Sequence, residues 1–153
     1  MEELKIGDKA KNFALKDQNG EEYKLSQFVG KKVLLSFHPL AWTEICAKQM
    51  QSLEENKEVF DSLNTVAFGL SVDSIPCKKT WAETLGVEKT SLLSDFWPHG
   101  EVAKLYGILN EEKGISQRTN IILNEDQNIV FFKIYEIKTL PDINEILDFI
   151  RNM

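Results

Sequence analysis

The chain has 153 residues, of which 42% are hydrophobic and 27% are charged, as is ordinary for one globular domain. Its net charge of −6 and its lack of a basic cluster argue against nucleic acid and anionic membranes as partners. Its apolar runs are too short to span a membrane, and the N-terminal segment MEELKIGDKAKNF has no signal-peptide core. We therefore expect a single domain over residues 1–153, located in the cytoplasm.

The first half of the chain predicts a hairpin, a buried strand and a long helix. Residues 13–25 contain an Asn-Gly dipeptide between two short apolar runs, which is a strong signal for a β-hairpin. Residues 31–39 are too continuously apolar for a half-exposed strand, so we expect a central strand buried on both faces. From about Thr43 to Leu63, apolar residues recur at helical spacing and predict one long helix.

The second half of the chain continues the alternation of strands and helices. In order, it predicts a strand (64–74), a helix (76–86), a strand (90–95), a helix (99–107), two strands around a polar turn (118–135) and a helix (141–150). This order predicts an α/β protein with a thioredoxin-like fold. In that fold, helices cover both faces of a central mixed sheet, and here an N-terminal β-hairpin is added.

The segment HPLAWTEIC, residues 38–46, joins the first buried strand to the long helix. It keeps the Trp and the second Cys of a thioredoxin-type Trp-Cys-x-x-Cys site, but Thr43 occupies the place of the first cysteine. Cys46 would lie in the first helical turn, where free N–H groups and the helix dipole favour a thiolate. A cysteine at a helix start is also often buried and inert, so its position alone leaves both interpretations open.

Pro39, Thr43 and Cys46 form a P-x-x-x-T-x-x-C pattern that resembles the active-site signature of the peroxiredoxins, the alkyl hydroperoxide reductase/thiol-specific antioxidant family. The resemblance covers nearly the whole chain, including the segment GLSVDSIPCKKTWAETLG. The segment SDFWPHGEVAKLYG is similar to the single-domain bacterial branch, which includes bacterioferritin comigratory proteins and one-cysteine members.

The resemblance implies a thiol-dependent peroxidase that reduces hydrogen peroxide and organic hydroperoxides. Cys46 would attack the peroxide and become a sulfenic acid. The Thr43 hydroxyl would orient the peroxide or cap the helix, and Pro39 would shield the sulfur. Arg118 corresponds to the family arginine that supplies positive charge to the sulfur and the peroxide.

Three further residues are expected to line or support the pocket. His38 and Trp42 belong to the same loop segment, and we expect them at the wall and the edge of the peroxide pocket. Gln49 stands where many family members have a glutamate that holds the arginine. An amide can accept the same hydrogen bond but brings no charge, so we expect a looser hold on Arg118.

Sulfenic acid must be reduced by a thiol, and Cys77 is the candidate within this chain. Some relatives carry a resolving cysteine on the helix after the second strand, and Cys77 lies near the predicted start of that helix. The alternative is that Cys77 is an ordinary helix cysteine. An external thiol reductant, thioredoxin-like or other, would then reduce the sulfenic acid. The resemblance also implies a homodimer through the active-site side, where Trp42 and Trp97 would form an apolar patch.

Neither a cofactor nor a metal is expected, because the chain has no glycine-rich phosphate loop and no zinc-type spacing of Cys and His. Two other functions stay open on the residues alone. A thiol-disulfide oxidoreductase would use the same loop, although Thr43 in place of a cysteine argues against it. A peroxide sensor would use Cys46 as a switch that is oxidised once and does not turn over without a partner.

Overall fold

The computed structural model describes residues 4–153. Within that range the strands are β1 (Ala14–Lys16), β2 (Glu22–Lys24), β3 (Lys32–Phe37), β4 (Thr65–Ser71), β5 (Ser91–Ser94), β6 (Leu109–Asn110), β7 (Ile115–Ser116), β8 (Thr119–Leu123) and β9 (Ile129–Ile134). The α-helices are α1 (Glu44–Glu55), α2 (Lys57–Ser62), α3 (Ile75–Leu85), α4 (Glu101–Leu105) and α5 (Ile143–Arg151). None of these helices is long and apolar enough to cross a membrane.

A mixed sheet occupies the centre of the described part of the chain, with the strand order β2-β1-β5-β4-β3-β8-β9. β3 pairs in parallel with β4 and antiparallel with β8. The N-terminal hairpin of β1 and β2 extends the sheet through an antiparallel contact with β5. These pairings confirm the predicted mixed sheet and the added hairpin.

β3 separates two apolar cores because its side chains alternate between the two faces of the sheet. Val33, Leu35 and Phe37 pack into the core that α4 covers. Leu34 points the other way, into the core beneath α1, α3 and α5. All four side chains are fully buried, which accounts for the continuous apolar run and confirms that helices cover both faces.

The single helix predicted from Thr43 to Leu63 is wrong in one respect, because the structure divides it into α1 and α2 at Asn56. The backbone of Asn56 has φ −103° and ψ 13°, and its side-chain Nδ2 donates to the Ser52 carbonyl at 2.8 Å. Side-chain bonds to the backbone compete with regular helix at such positions. The apolar spacing hides this break because Phe60 of α2 packs into the same core as α1.

Two small elements were not predicted: a 3-10 helix over Leu25–Phe28 and the antiparallel ribbon of β6 and β7. The strands of the ribbon have two residues each, which is too short for an alternating pattern to be recognised. The ribbon places Ile115 beside the loop that precedes α1, and Ser116 Oγ donates to the His38 carbonyl at 3.1 Å.

Three segments meet at one edge of the sheet. β3 and β4 run in parallel, so their carboxyl ends lie side by side, with Phe37 opposite Leu70. β8 runs in the opposite direction, so its first residue, Thr119, also lies beside Phe37. The loop to α1, the loop to α3 and the residue before β8 therefore come together here.

Candidate active site

Cys46 is the third residue of α1 and lies at this edge. The Ala47 N–H donates to the Thr43 carbonyl, so the N–H groups of residues 44–46 have no acceptor within the helix. Together with the helix dipole, these groups favour a negative charge at the start of α1. Cys46 is 1% exposed, so such a charge would be screened little by bulk water.

Arg118 brings a positive charge to the Cys46 sulfur. Its Nη1 donates to Cys46 Sγ at 3.3 Å. Its Nε and Nη2 donate to the Ile137 carbonyl at 3.1 and 2.7 Å, which holds the guanidinium plane in place. Arg118 is 3% exposed, so its charge acts on the sulfur at close range in a dry environment.

Gln49 completes the hold on Arg118. Its Oε1 accepts from Arg118 Nη1 at 2.7 Å, while its Nε2 donates to Ser36 Oγ at 2.7 Å and to the Phe37 carbonyl at 3.2 Å. The same Nη1 therefore binds both the Cys46 sulfur and a fixed amide oxygen. The amide thus makes the contact expected at this position, by a short hydrogen bond, but adds no negative charge to the site.

Thr43 occupies the N-cap position of α1, but its side chain does not cap the helix. Its hydroxyl instead donates to the Leu40 carbonyl at 2.8 Å, so the capping role considered for Thr43 is wrong. The hydroxyl oxygen keeps lone pairs that can accept a hydrogen bond from a molecule beside Cys46.

A cavity of about 320 Å³ opens beside Cys46. Pro39, Thr43 and Arg118 also line it, so the structure brings all four residues of the predicted catalytic set to one place. The rest of the wall is mostly apolar and includes Leu40, Ile45, Ile115 and Ile137. Residues 4–153 contain no group of three His, Cys, Asp or Glu side chains that could hold a metal ion.

Two residues predicted at this pocket are not among those that line it. His38 is fully buried, and its ring packs on Trp81 of α3 with the centroids 5.3 Å apart. The alternation that points Leu34 toward α1 and α3 also points His38 to that face. Trp42 has a left-handed backbone, with φ 67°, and its side chain is directed to solvent, where the residue is 54% exposed.

Comparison with known proteins assigns the family. The family model described as AhpC/TSA matches residues 6–132. The chain belongs to the AhpC/TSA family. Alkyl hydroperoxide reductase E of Mycobacterium bovis is a relative, 39% identical over 129 residues that make up 84% of each chain. The family predicted from the P-x-x-x-T-x-x-C segment, and the prediction of an enzyme, are thereby confirmed.

Solved structures agree with the predicted thioredoxin-like fold of this AhpC/TSA protein. The reduced 2-Cys peroxiredoxin of Plasmodium vivax superposes with a TM-score of 0.87 at 27% identity, over 95% of this chain and 80% of its own. Peroxidoxin BcpB of Mycobacterium tuberculosis superposes with a TM-score of 0.85 over 98% of both chains. At 24% identity, the second likeness concerns the fold alone.

The second cysteine of this AhpC/TSA enzyme, Cys77, is the third residue of α3 and is not bonded to Cys46. Its Sγ contacts Asp73 Oδ1 at 4.0 Å. The other carboxylate oxygen of Asp73 accepts from the Ala41 N–H at 2.8 Å and from the Ser71 hydroxyl at 2.6 Å. One carboxylate therefore joins the loop that precedes Cys46 to the second cysteine.

Asp73 and Lys78 are two residues near the site that the sequence did not reveal. Lys78 is fully buried on the face of α3 that carries Trp81 and Ala82, so helical spacing from Trp81 is the signal that could have identified it. Burial lowers the pKa of Lys78 to about 7, and the negative charge of Asp73 partly opposes this. Burial, together with the charge of Lys78, holds the pKa of His38 well below its ordinary value, so that ring is neutral at pH 7.

Replacing Lys78 with Met is expected to stabilise the protein at neutral pH. The folded-state pKa of Lys78, about 7, lies below its unfolded value of 10.5. The unfolded chain therefore binds more protons between these pH values, and this lysine destabilises the fold most at pH 7 and below. Lys78→Met should raise the free energy of unfolding at pH 7 by about 2–4 kcal/mol, and the gain should shrink toward pH 10.

Urea unfolding at pH 6.5, 8 and 9.5 measures this gain. Lys79→Met is the matched control, because Lys79 is an exposed lysine on the same helix. That variant should lie within about 0.5 kcal/mol of wild type at every pH. A gain for Lys78→Met that does not change with pH would show that packing, and not charge, is responsible.

Proposed function

We propose that this chain reduces hydrogen peroxide and organic hydroperoxides, with Cys46 as the thiol that attacks the peroxide. Membership of the AhpC/TSA family supports thiol-dependent peroxidase activity. The observation that carries the assignment to Cys46 is the 3.3 Å contact from Arg118 Nη1 to its sulfur at the start of α1. The largely apolar wall of the adjoining cavity suits the organic part of a hydroperoxide.

In the first step, the Cys46 thiolate attacks one oxygen of ROOH and the O–O bond breaks. The sulfur becomes a sulfenic acid, and the departing alkoxide takes a proton and leaves as ROH. Negative charge spreads over the sulfur and both oxygens in the transition state. The fixed guanidinium of Arg118 lies where it can stabilise that charge, and the Thr43 oxygen can accept the peroxide O–H.

In the second step, a thiol reduces the sulfenic acid, and we propose that Cys77 does so within the chain, alone or with an external thioredoxin-like thiol donor. Both cysteines pack against the same apolar core, and the strands that precede them are parallel neighbours. The side-chain cap at the start of α3 is a long one, because the Cys77 N–H reaches Ser74 Oγ at 3.4 Å. Unwinding that turn would let the two sulfurs approach.

Cys46→Ser is expected to abolish peroxide reduction while the fold is retained, because a serine hydroxyl cannot form a sulfenic acid. The measurement is repeated turnover of hydrogen peroxide and cumene hydroperoxide with excess dithiothreitol, alongside circular dichroism. Cys77→Ser, which keeps the attacking thiol, is the control. More than trace activity in Cys46→Ser would refute the assignment, and a single oxidation without turnover in wild type would favour a sensor.

Arg118→Met is expected to slow oxidation of Cys46 by about 10²–10³, the usual effect of losing one fixed donor to a developing negative charge. Stopped-flow mixing of reduced protein with peroxide gives this rate. The matched control is Arg151→Met, since Arg151 is an exposed arginine near the end of α5. An unchanged rate in Arg118→Met would mean that another group stabilises the charge.

Peroxide oxidation of the wild type is expected to produce a Cys46–Cys77 disulfide. The test is one equivalent of peroxide, digestion without reductant and mass analysis of the linked peptide. Stable sulfenic acid on Cys46, together with full turnover of Cys77→Ser on small thiols, would contradict the role of Cys77 and indicate an external donor alone.

A homodimer through the active-site side is also expected. Trp97 is 81% exposed and, with Phe96, borders a cavity of about 410 Å³ between the hairpin and the start of α3. Exposed apolar patches of this kind often bind protein partners. Light scattering at high concentration should report twice the 17.5 kDa mass of one chain, and Trp97→Asp should lower it. A wild-type monomer would contradict the expectation.

A further inference from the structure

Lys78 is a buried amine to which the proposed peroxide chemistry assigns no role. It is 0% exposed, and its Nζ forms no hydrogen bond with any of residues 4–153. A buried cation without a direct partner is costly for the folded state, and native proteins contain few such groups. The neighbouring Lys79 is exposed, so helix α3 places one lysine in water and the next inside the protein.

Charged and titratable groups on several neighbouring segments act on this amine. Those that can carry negative charge and favour its protonated form are Asp73 after β4, Cys77 on α3, Asp95 after β5 and Cys46 on α1. The basic groups on this side of the sheet are His38 after β3, which is neutral at pH 7, and Arg118 before β8. The buried Lys78 amine therefore interacts electrostatically with both cysteines, which follow parallel neighbouring strands.

Most of these groups already have partners of their own. Cys46 has Arg118 at 3.3 Å. The two oxygens of Asp95 accept the N–H groups of Val102 and Ala103 at 3.0 and 2.9 Å. Among residues 4–153 the Cys77 sulfur has one polar contact, the negatively charged carboxylate oxygen Asp73 Oδ1 at 4.0 Å. Cys77 is thus the thiol that lacks a cation, and Lys78 is the cation next to it in the chain.

We propose that Lys78 is a positioning residue whose ammonium group offsets the charge of Asp73 and favours the thiolate of Cys77. This proposal rests on the role of Cys77 in the proposed function. The Cys77 thiol releases its proton to water, and the thiolate attacks the sulfur of the Cys46 sulfenic acid. The S–S bond forms, the S–O bond breaks, and hydroxide takes up a proton and leaves as water.

The ionisation of Lys78 gives this role a pH signature. With a pKa of about 7, the amine is charged in acid and increasingly neutral above pH 8. Its assistance to Cys77 should therefore be largest at pH 6–7, where an ordinary thiol is almost entirely protonated. At pH 9 the amine is neutral, and the assistance should be lost.

The first test measures Cys77 alone, in a Cys46→Ser background, by the rate of alkylation with iodoacetamide from pH 6 to pH 9. Adding Lys78→Met should slow alkylation at pH 6.5 by about tenfold, as expected for one lost cation near a thiolate, and the two rates should converge by pH 9. Lys79→Met, the exposed neighbour, should match the background at every pH. Equal alkylation rates with and without Lys78→Met at pH 6.5 would overturn the proposal. A ratio of these two rates that stays constant with pH would also overturn it, because a change in the access of iodoacetamide to Cys77 alone gives a constant ratio.

The second test follows the protein with both cysteines after one equivalent of hydrogen peroxide. Lys78→Met should slow formation of the Cys46–Cys77 disulfide about tenfold at pH 6.5 and leave oxidation of Cys46 within about threefold of wild type, because Arg118 still serves that sulfur. Equal disulfide rates would overturn the proposal and leave the proposed function intact. A wild type that forms no disulfide would instead overturn the resolving role of Cys77, while the alkylation rates still decide whether Lys78 acts on that thiol.

Discussion

The contact between the Arg118 guanidinium and the Cys46 sulfur is the interaction on which the site depends. The two residues are 72 positions apart in the chain, and both are almost completely buried. A buried guanidinium must have its N–H groups satisfied, and Ile137 and Gln49 supply the oxygens that do so. The sheet order makes the contact possible, because antiparallel β8 starts beside the point where β3 ends.

Asp73 connects the second cysteine to the loop that precedes the first. Asp73 holds the Ala41 N–H in the loop before Cys46 and also contacts the Cys77 sulfur. A movement of α3 toward Cys46 would therefore disturb the loop that lines the cavity beside Cys46. The buried amine of Lys78 lies on the same helix as Cys77, and burial lowers its pKa to about 7. The same buried amine is therefore predicted to lower the stability of the fold at neutral pH and proposed to assist Cys77.

The differences between prediction and structure have local causes. Thr43 stands at the N-cap, but its hydroxyl donates to a carbonyl three residues earlier, a choice that residue type cannot reveal. His38 follows a strand whose alternation turns its ring toward Trp81, away from the cavity. Asn56 interrupts a helix whose apolar spacing continues across the break. In each case a single side-chain hydrogen bond, or the face of the sheet to which a side chain points, decided a detail that the residue type did not determine.

The sequence by itself determined the α/β order of elements, the buried central strand, the family and the place of Cys46 in a first helical turn. Those features depend on local spacing: apolar periodicity, turn residues and an eight-residue motif. The resemblance also assigned Arg118 to Cys46 and Gln49 to Arg118, but only the tertiary structure decided which other groups surround the two sulfurs. The Ile137 carbonyl holds Arg118 beside Cys46, and Asp73 contacts Cys77, because the fold brings these segments together. At the surface, water and salt weaken the interaction between charges and screen it beyond about 8–10 Å. The same charge in a dry core acts strongly on every neighbour that the fold brings to it, and most of those neighbours are distant in sequence.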